Sequence, residues 1–129
     1  MFARWVFLIA GIYGIVVLAP HYFMESQVAA HAPVNHPEFF YGFTGVALAW
    51  QFAFLIIARD PVRYRLIMLP GIFEKVSFGI AAIVLYAQGR LPGMMLLAGC
   101  GDLVFAALFA IAFTQTGKGL TAEGAGGAE

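Results

Sequence analysis

Four long apolar runs divide this chain of 129 residues, and they constrain its fold more than any other feature. A helix needs roughly 20 predominantly apolar residues to cross the hydrocarbon core of a bilayer. Runs of about that length occupy residues 5–24, 39–58, 66–88 and 93–113. The sequence therefore predicts an all-α integral membrane protein, a four-helix bundle with up-down-up-down topology.

The composition supports this interpretation and excludes a typical soluble domain. Hydrophobic residues make up 62% of the chain and charged residues 11%, whereas a soluble domain is about half apolar and about a quarter charged. Seven basic side chains balance seven acidic ones, so no excess of charge indicates nucleic acid as a partner. We expect the lipid bilayer as the surroundings, with other membrane-protein subunits or further copies of the chain as protein partners.

The distribution of basic residues predicts the orientation, because cytoplasmic loops carry an excess of Lys and Arg. With four spans, both termini share one side with the loop between the second and third spans. Five basic residues lie on that side: Arg4, Arg59, Arg63, Arg65 and Lys118. Arg90 lies on the opposite side. We therefore expect both termini in the cytoplasm. Residues 1–116 are predicted to form one transmembrane domain, and residues 117–129 a flexible Gly-rich tail.

Strongly polar side chains inside the predicted spans are the candidate site: Gln51, Glu74, Lys75 and Asp102. A charged side chain at the centre of a bilayer costs on the order of 2.5–3.5 kcal/mol on insertion scales, so it normally faces the bundle interior or finds a partner. Gln51 and Asp102 lie at similar predicted depths. If the second and fourth spans meet, we expect a hydrogen bond between these two side chains. The long stem of Lys75 allows it to reach either carboxylate.

Two interpretations of this candidate site stay open from the sequence. The four side chains form either a structural hydrogen-bonded network or a site that binds a ligand or handles protons. Helical spacing places Ala98 and Gly99 on one face with Asp102, and Ala81 on one face with Glu74. Small residues let helices approach closely. The polar positions are therefore predicted to lie along helix–helix contacts.

The first loop and its borders contain a second group of polar side chains: His21, Glu25, His31, His36 and Glu38. Imidazole and carboxylate groups are zinc ligands, and a zinc site takes three or four of them from the protein. His21 and Glu25 are four residues apart and could share one helix face. The spacing matches no established zinc signature. A solvated loop and a metal site with His21, Glu25 and His36 as ligands both stay open.

Several short features of the chain occur together in one known group. The first helix ends near Ala19–Phe23, a longer outer loop follows, Pro70–Glu74 opens the third helix, and Gly101–Asp102 lies in the fourth. In these features the chain resembles the DoxX-like group of small four-span bacterial membrane proteins, over about residues 4–115. The resemblance implies a multi-pass protein of the bacterial inner membrane. Some members of that group are associated with quinone-linked oxidoreductase complexes or act as assembly factors. The charged segment Arg59–Arg65 departs from the group's pattern.

Three functions are compatible with the sequence. Small size and the absence of a recognisable reaction motif favour an accessory or assembly subunit of a larger membrane complex, with quinone-linked respiratory complexes among the candidates. The first alternative is a binder or carrier of a small apolar ligand such as a quinone or a lipid. The second is a small membrane enzyme in which Glu74 or Asp102 acts as general acid or base. No intrinsic cofactor is expected, and a quinone or a lipid is the candidate ligand.

Overall fold

The computed structural model describes residues 1–30 and 35–126, with side chains as far as Lys118. All regular secondary structure in these residues is helical, in agreement with the predicted all-α class. Five α-helices follow in order: α1 (Phe2–Leu18), α2 (Glu25–Ala29), α3 (Pro37–Arg59), α4 (Met68–Ala87) and α5 (Gly93–Gly126). Short 3₁₀ segments extend α1 through Ala19–Phe23 and precede α4 at Arg65–Ile67.

Four helices in the described residues are long and apolar enough to cross a membrane, as the sequence predicts for a multi-pass protein. These stretches are Phe2–Phe23, Pro37–Arg59, Arg65–Ala87 and Gly93–Lys118. The largest difference from the predicted spans is in α5, which continues to Gly126. The flexibility expected for residues 117–129 stays a prediction, and residues 127–129 lie outside the part of the chain that the structure describes.

Local sequence explains where α3 begins and where α4 ends. Pro37 occupies the first position of α3. The N–H at this position has no partner within the helix, so a proline there costs no helical hydrogen bond. Gly89 follows α4 with a φ of 70°, a left-handed conformation that favours glycine. The N–H groups of Gly89 and Arg90 donate to the carbonyls of Tyr86 and Leu85, each at 2.9 Å. These two bonds form a Schellman motif, which stops α4 and turns the chain toward α5.

The four long helices pack chiefly as two pairs, α1 with α3 and α4 with α5. Glycine allows the close approach in the second pair, because a Cβ at Gly79 would overlap Leu103 and one at Gly99 would overlap Ala82. The small-residue contact predicted for Gly99 is therefore confirmed. The same prediction was wrong for Ala81, which is exposed, while its neighbour Ala82 is buried.

Three phenylalanines fill the space between the two helix pairs. Phe7 of α1, Phe54 of α3 and Phe109 of α5 are fully buried. The ring centroids of Phe7 and Phe109 are 4.1 Å apart, and those of Phe54 and Phe109 are 4.9 Å apart. Met68 of α4 and Ala112 of α5 belong to the same buried core. We call Phe7, Phe54 and Phe109 the aromatic cluster.

The charged connection between α3 and α4 is attached to α5. Arg65 Nε donates to the carbonyl of Phe113 at 3.0 Å, and its guanidinium lies over the Phe113 ring, 3.6 Å from the centroid. Within the connection, Asp60 Oδ1 accepts a hydrogen bond from the N–H of Arg63 at 3.1 Å. These contacts fix the beginning of α4 against α5.

Candidate functional site

A cavity of about 670 Å³ lies between the helix pairs, beside the aromatic cluster. All four long helices contribute to its lining, and its walls are mainly apolar. The wall residues include Tyr13, Val17, Phe43, Phe78, Leu97 and Ala98. The volume falls within the range of about 300–1,000 Å³ that is typical of sites for small molecules.

All four polar residues predicted from the sequence line this cavity. Lys75 Nζ lies 3.2 Å from Asp102 Oδ1 on α5 and 3.3 Å from Glu74 Oε2 on its own helix. The prediction that Lys75 reaches a carboxylate is confirmed, and it contacts both at once. The contact with Glu74 Oε2 is an ion pair without hydrogen-bond geometry. We call Glu74, Lys75 and Asp102 the charged cluster.

The charged cluster is not electrically balanced. It contains two carboxylates and one ammonium group, so it carries one surplus negative charge when all three groups are ionised. The ammonium group of Lys75 also lies 5.5 Å from the centroid of the Phe54 ring, at the border with the aromatic cluster. A surplus charge is costly in the low-dielectric interior of a membrane protein. The cluster therefore favours a proton or a cationic group beside the carboxylates.

Gln51 contributes an acceptor that has no hydrogen-bond partner among the described residues. The residue is 1% exposed, and its Nε2 donates to the carbonyl of Ala47 at 2.9 Å. Its Oε1 makes no hydrogen bond and packs against Gly14 of α1, where a Cβ would overlap the amide. The predicted hydrogen bond between Gln51 and Asp102 is therefore wrong. The physical reason is that α3 packs mainly on α1 rather than on α5, so the amide faces Gly14.

The polar side chains near the first loop form hydrogen bonds with different residues. His21 Nδ1 lies 2.9 Å from the carbonyl of Val17, within the end of the first helix. Tyr41 OH donates to Glu25 Oε2 at 2.5 Å and so connects α2 to α3. His21 also lines the cavity, whereas Glu25 does not.

The remaining members of this group do not complete a metal centre. His36 Nδ1 lies 3.0 Å from Glu38 Oε1, and both side chains are exposed. His31 falls outside the described residues. Within the described part of the chain, no three or more His, Cys, Asp or Glu side chains come together as metal ligands. The structure thus does not bring His21, Glu25 and His36 to a common centre.

Gly14 and the aromatic walls of the cavity were not predicted from the sequence. Gly14 carries a signal that could have been used, because a glycine inside a helix costs about 1 kcal/mol relative to alanine and so indicates a close approach. The aromatic walls carry no such signal, because aromatic residues in an apolar span face lipid as readily as they face a cavity.

The sequence matches no protein-family model, and comparisons with curated proteins and with solved structures give no match. The geometry of the cavity and its polar residues is therefore the basis for the functional interpretation.

Proposed function

We propose that this protein binds a small, mainly apolar molecule with one polar end, within the bilayer. The observation that carries the proposal is the cavity itself, which combines apolar walls with one localised polar region. Ligand sites are typically mostly apolar with a few polar groups that fix orientation. In this cavity the apolar body of the ligand lies against Tyr13, Phe43 and Phe78, and its polar end meets Gln51 and the charged cluster.

The position of the polar groups indicates how such a molecule lies in the cavity. Lys75 is adjacent to the ring of Phe54, so the polar region lies beside the aromatic cluster. Met94, which is largely exposed, lines the cavity about two helical turns before Asp102 on α5. The ligand accordingly extends from the polar region toward Met94.

The proposal includes an arrangement in the membrane. The helices cross up-down-up-down in a bacterial inner membrane, with both termini in the cytoplasm. The basic residues at the termini and in the connection between α3 and α4 support this orientation. Met94 then lies near the outer face, so the ligand enters from the outer leaflet.

Purification in lipid nanodiscs, followed by native mass spectrometry and solvent extraction, tests the proposed binding. We expect the wild-type protein to retain a small molecule in a fixed stoichiometry. Ala98→Phe, which places a ring in the cavity, should lose it. Ala107→Phe on the exposed face of the same helix is the matched control and should retain it. Equal retention by both variants, or no retained molecule in the wild type, would overturn the proposal.

The other functions considered for this sequence stay predictions. They are the accessory or assembly subunit of a larger complex, the enzyme with a buried carboxylate, and membership of the DoxX-like group. Purification from native membranes in a mild detergent addresses the first of these. Stoichiometric co-purification of another membrane protein would support a subunit role, and a monomer without companions would count against it.

A further inference from the structure

We infer that the polar end of the ligand is a protonated primary or secondary amine, which binds the charged cluster in exchange for a proton. This inference rests on the proposed function and specifies the chemical class of the ligand. Two features of the cavity support it: the surplus negative charge and the aromatic walls.

The surplus charge favours a cation, and the accessible side of the cluster is the negative one. The side chains of Glu74 and Asp102 are 22% and 17% exposed, whereas that of Lys75 is 8% exposed. The two carboxylate side chains of the cluster are therefore more accessible than the side chain of Lys75. An anionic head group such as a fatty-acid carboxylate would add a third negative charge and is excluded by repulsion.

Hydrogen bonding distinguishes an amine from a quinone. The carboxylates of Glu74 and Asp102 line the cavity with a single ammonium group between them, and ionised carboxylates only accept hydrogen bonds. A protonated primary amine offers three N–H donors, as a lysine ammonium does. Quinone carbonyls only accept hydrogen bonds, so a quinone offers these carboxylates neither a donor nor a compensating charge. Hydrogen bonding to the carboxylates therefore favours an amine over a quinone.

The walls of the cavity also suit a cation. Tyr13, Phe43 and Phe78 present aromatic rings to the cavity, and the ring centroids of Phe43 and Phe78 are 6.4 Å apart. Aromatic faces attract ammonium groups, most strongly where water is excluded. A protonated amine is thus favoured along the walls as well as at the charged cluster.

A proton is the alternative occupant of the cluster, which makes amine binding dependent on pH. Binding of R–NH₃⁺ releases the proton that neutralised one carboxylate, and no covalent bond other than that O–H changes. The titratable groups that line the cavity are Tyr13 of α1, His21 of the following 3₁₀ segment, Glu74 and Lys75 of α4, and Asp102 of α5. Among the described residues of α3, the lining includes the neutral amide of Gln51 but no charged group.

The experiment compares decylamine, decanol and decanoate, which share one alkyl chain and differ in head-group charge. Binding to the protein in nanodiscs is measured by native mass spectrometry, and Ala98→Phe supplies the background. We expect decylamine to bind about tenfold more tightly than decanol, as hydrogen bonds to charged groups allow, and decanoate not to bind. Glu74→Gln or Asp102→Asn, either of which removes the surplus charge, should lower the ratio of decylamine affinity to decanol affinity about tenfold.

The pH dependence provides a second readout. In the wild type, decylamine binding should weaken several-fold from mildly alkaline to mildly acid pH. His21→Gln should show the same pH dependence. In Glu74→Gln, decylamine binding should no longer depend on pH. If decanol binds as tightly as decylamine, or decanoate binds best, the amine inference is overturned while the proposed function stands. If none of the three binds above the Ala98→Phe background, both are overturned.

Discussion

The aromatic cluster and the cavity are neighbouring levels of one bundle that is packed in two different ways. At the aromatic cluster, three fully buried rings fill the space between the helix pairs. At the cavity, the same space is open and is bordered by charged and amide groups. The difference leads us to expect most of the packing stability at the aromatic cluster and the proposed ligand binding at the cavity. Mutations should therefore separate the two properties.

The largest loss of stability is expected in the aromatic cluster. Phe109→Ala removes a ring that contacts both Phe7 and Phe54, and large-to-small substitutions of buried Phe cost about 3–5 kcal/mol. Reversible unfolding in mixed detergent micelles measures the free energy of unfolding. Phe52→Ala, at a ring that is 57% exposed on α3, is the control and should cost much less. Equal losses in the two variants would show that the cluster is not the stabilising level.

A similar loss is expected at the cavity only if the charged cluster is left with two carboxylates and no cation. Lys75→Met should cost about 3–5 kcal/mol, because removal of one partner leaves buried charges uncompensated. The triple variant Glu74→Gln, Lys75→Met, Asp102→Asn removes the charges together and should recover most of this loss in the same unfolding assay. If Lys75→Met unfolds like the wild type, the ion pairs contribute nothing to stability.

An intermediate effect is expected where α1 meets α3. A Cβ at Gly14 would overlap the amide of Gln51, and such overpacking costs about 1–3 kcal/mol. Gly14→Ala should lower the free energy of unfolding by that amount, and adding Gln51→Ala should restore it. Gly42→Ala is the matched control, because a Cβ there meets nothing within 4 Å. Additive effects of the Gly14 and Gln51 substitutions would contradict this packing.

The smallest effect on stability is expected for Asp102→Asn. The amide keeps hydrogen-bonding capacity and removes the surplus charge, and interhelical hydrogen bonds in membranes contribute only about 0.6 kcal/mol on average and up to about 1.7 kcal/mol. The variant should therefore unfold almost like the wild type while binding of the amine is weakened. Unchanged ligand binding together with unchanged stability would identify Asp102 as a packing residue.

The sequence was sufficient to predict the helical spans, because a bilayer requires long apolar helices and tolerates few charges within them. It also identified the polar residues of the cavity and the reach of Lys75, because buried charges need partners. These inferences depend on composition and length alone.

Which helices pack as pairs could not be predicted from the sequence in the same way. Lipid tails are as apolar as a protein core, so the face of a span that contacts lipid resembles the face that contacts another helix. The expected pairing of Gln51 with Asp102 was wrong for this reason. The cavity depends on the separation of the helix pairs at one level, which no single residue encodes.

The contact between Lys75 and Asp102 has a consequence for synthesis and membrane insertion. α4 carries an adjacent acid and base, and the counter-charge from the next span follows after only the short connection of residues 88–92. The Schellman turn and the Gly79–Gly99 contact are also local to these two helices. We therefore expect the ribosome-bound chain to deliver α4 and α5 to the bilayer together, as a hairpin in which Lys75 already contacts Asp102, before that hairpin meets the first two spans.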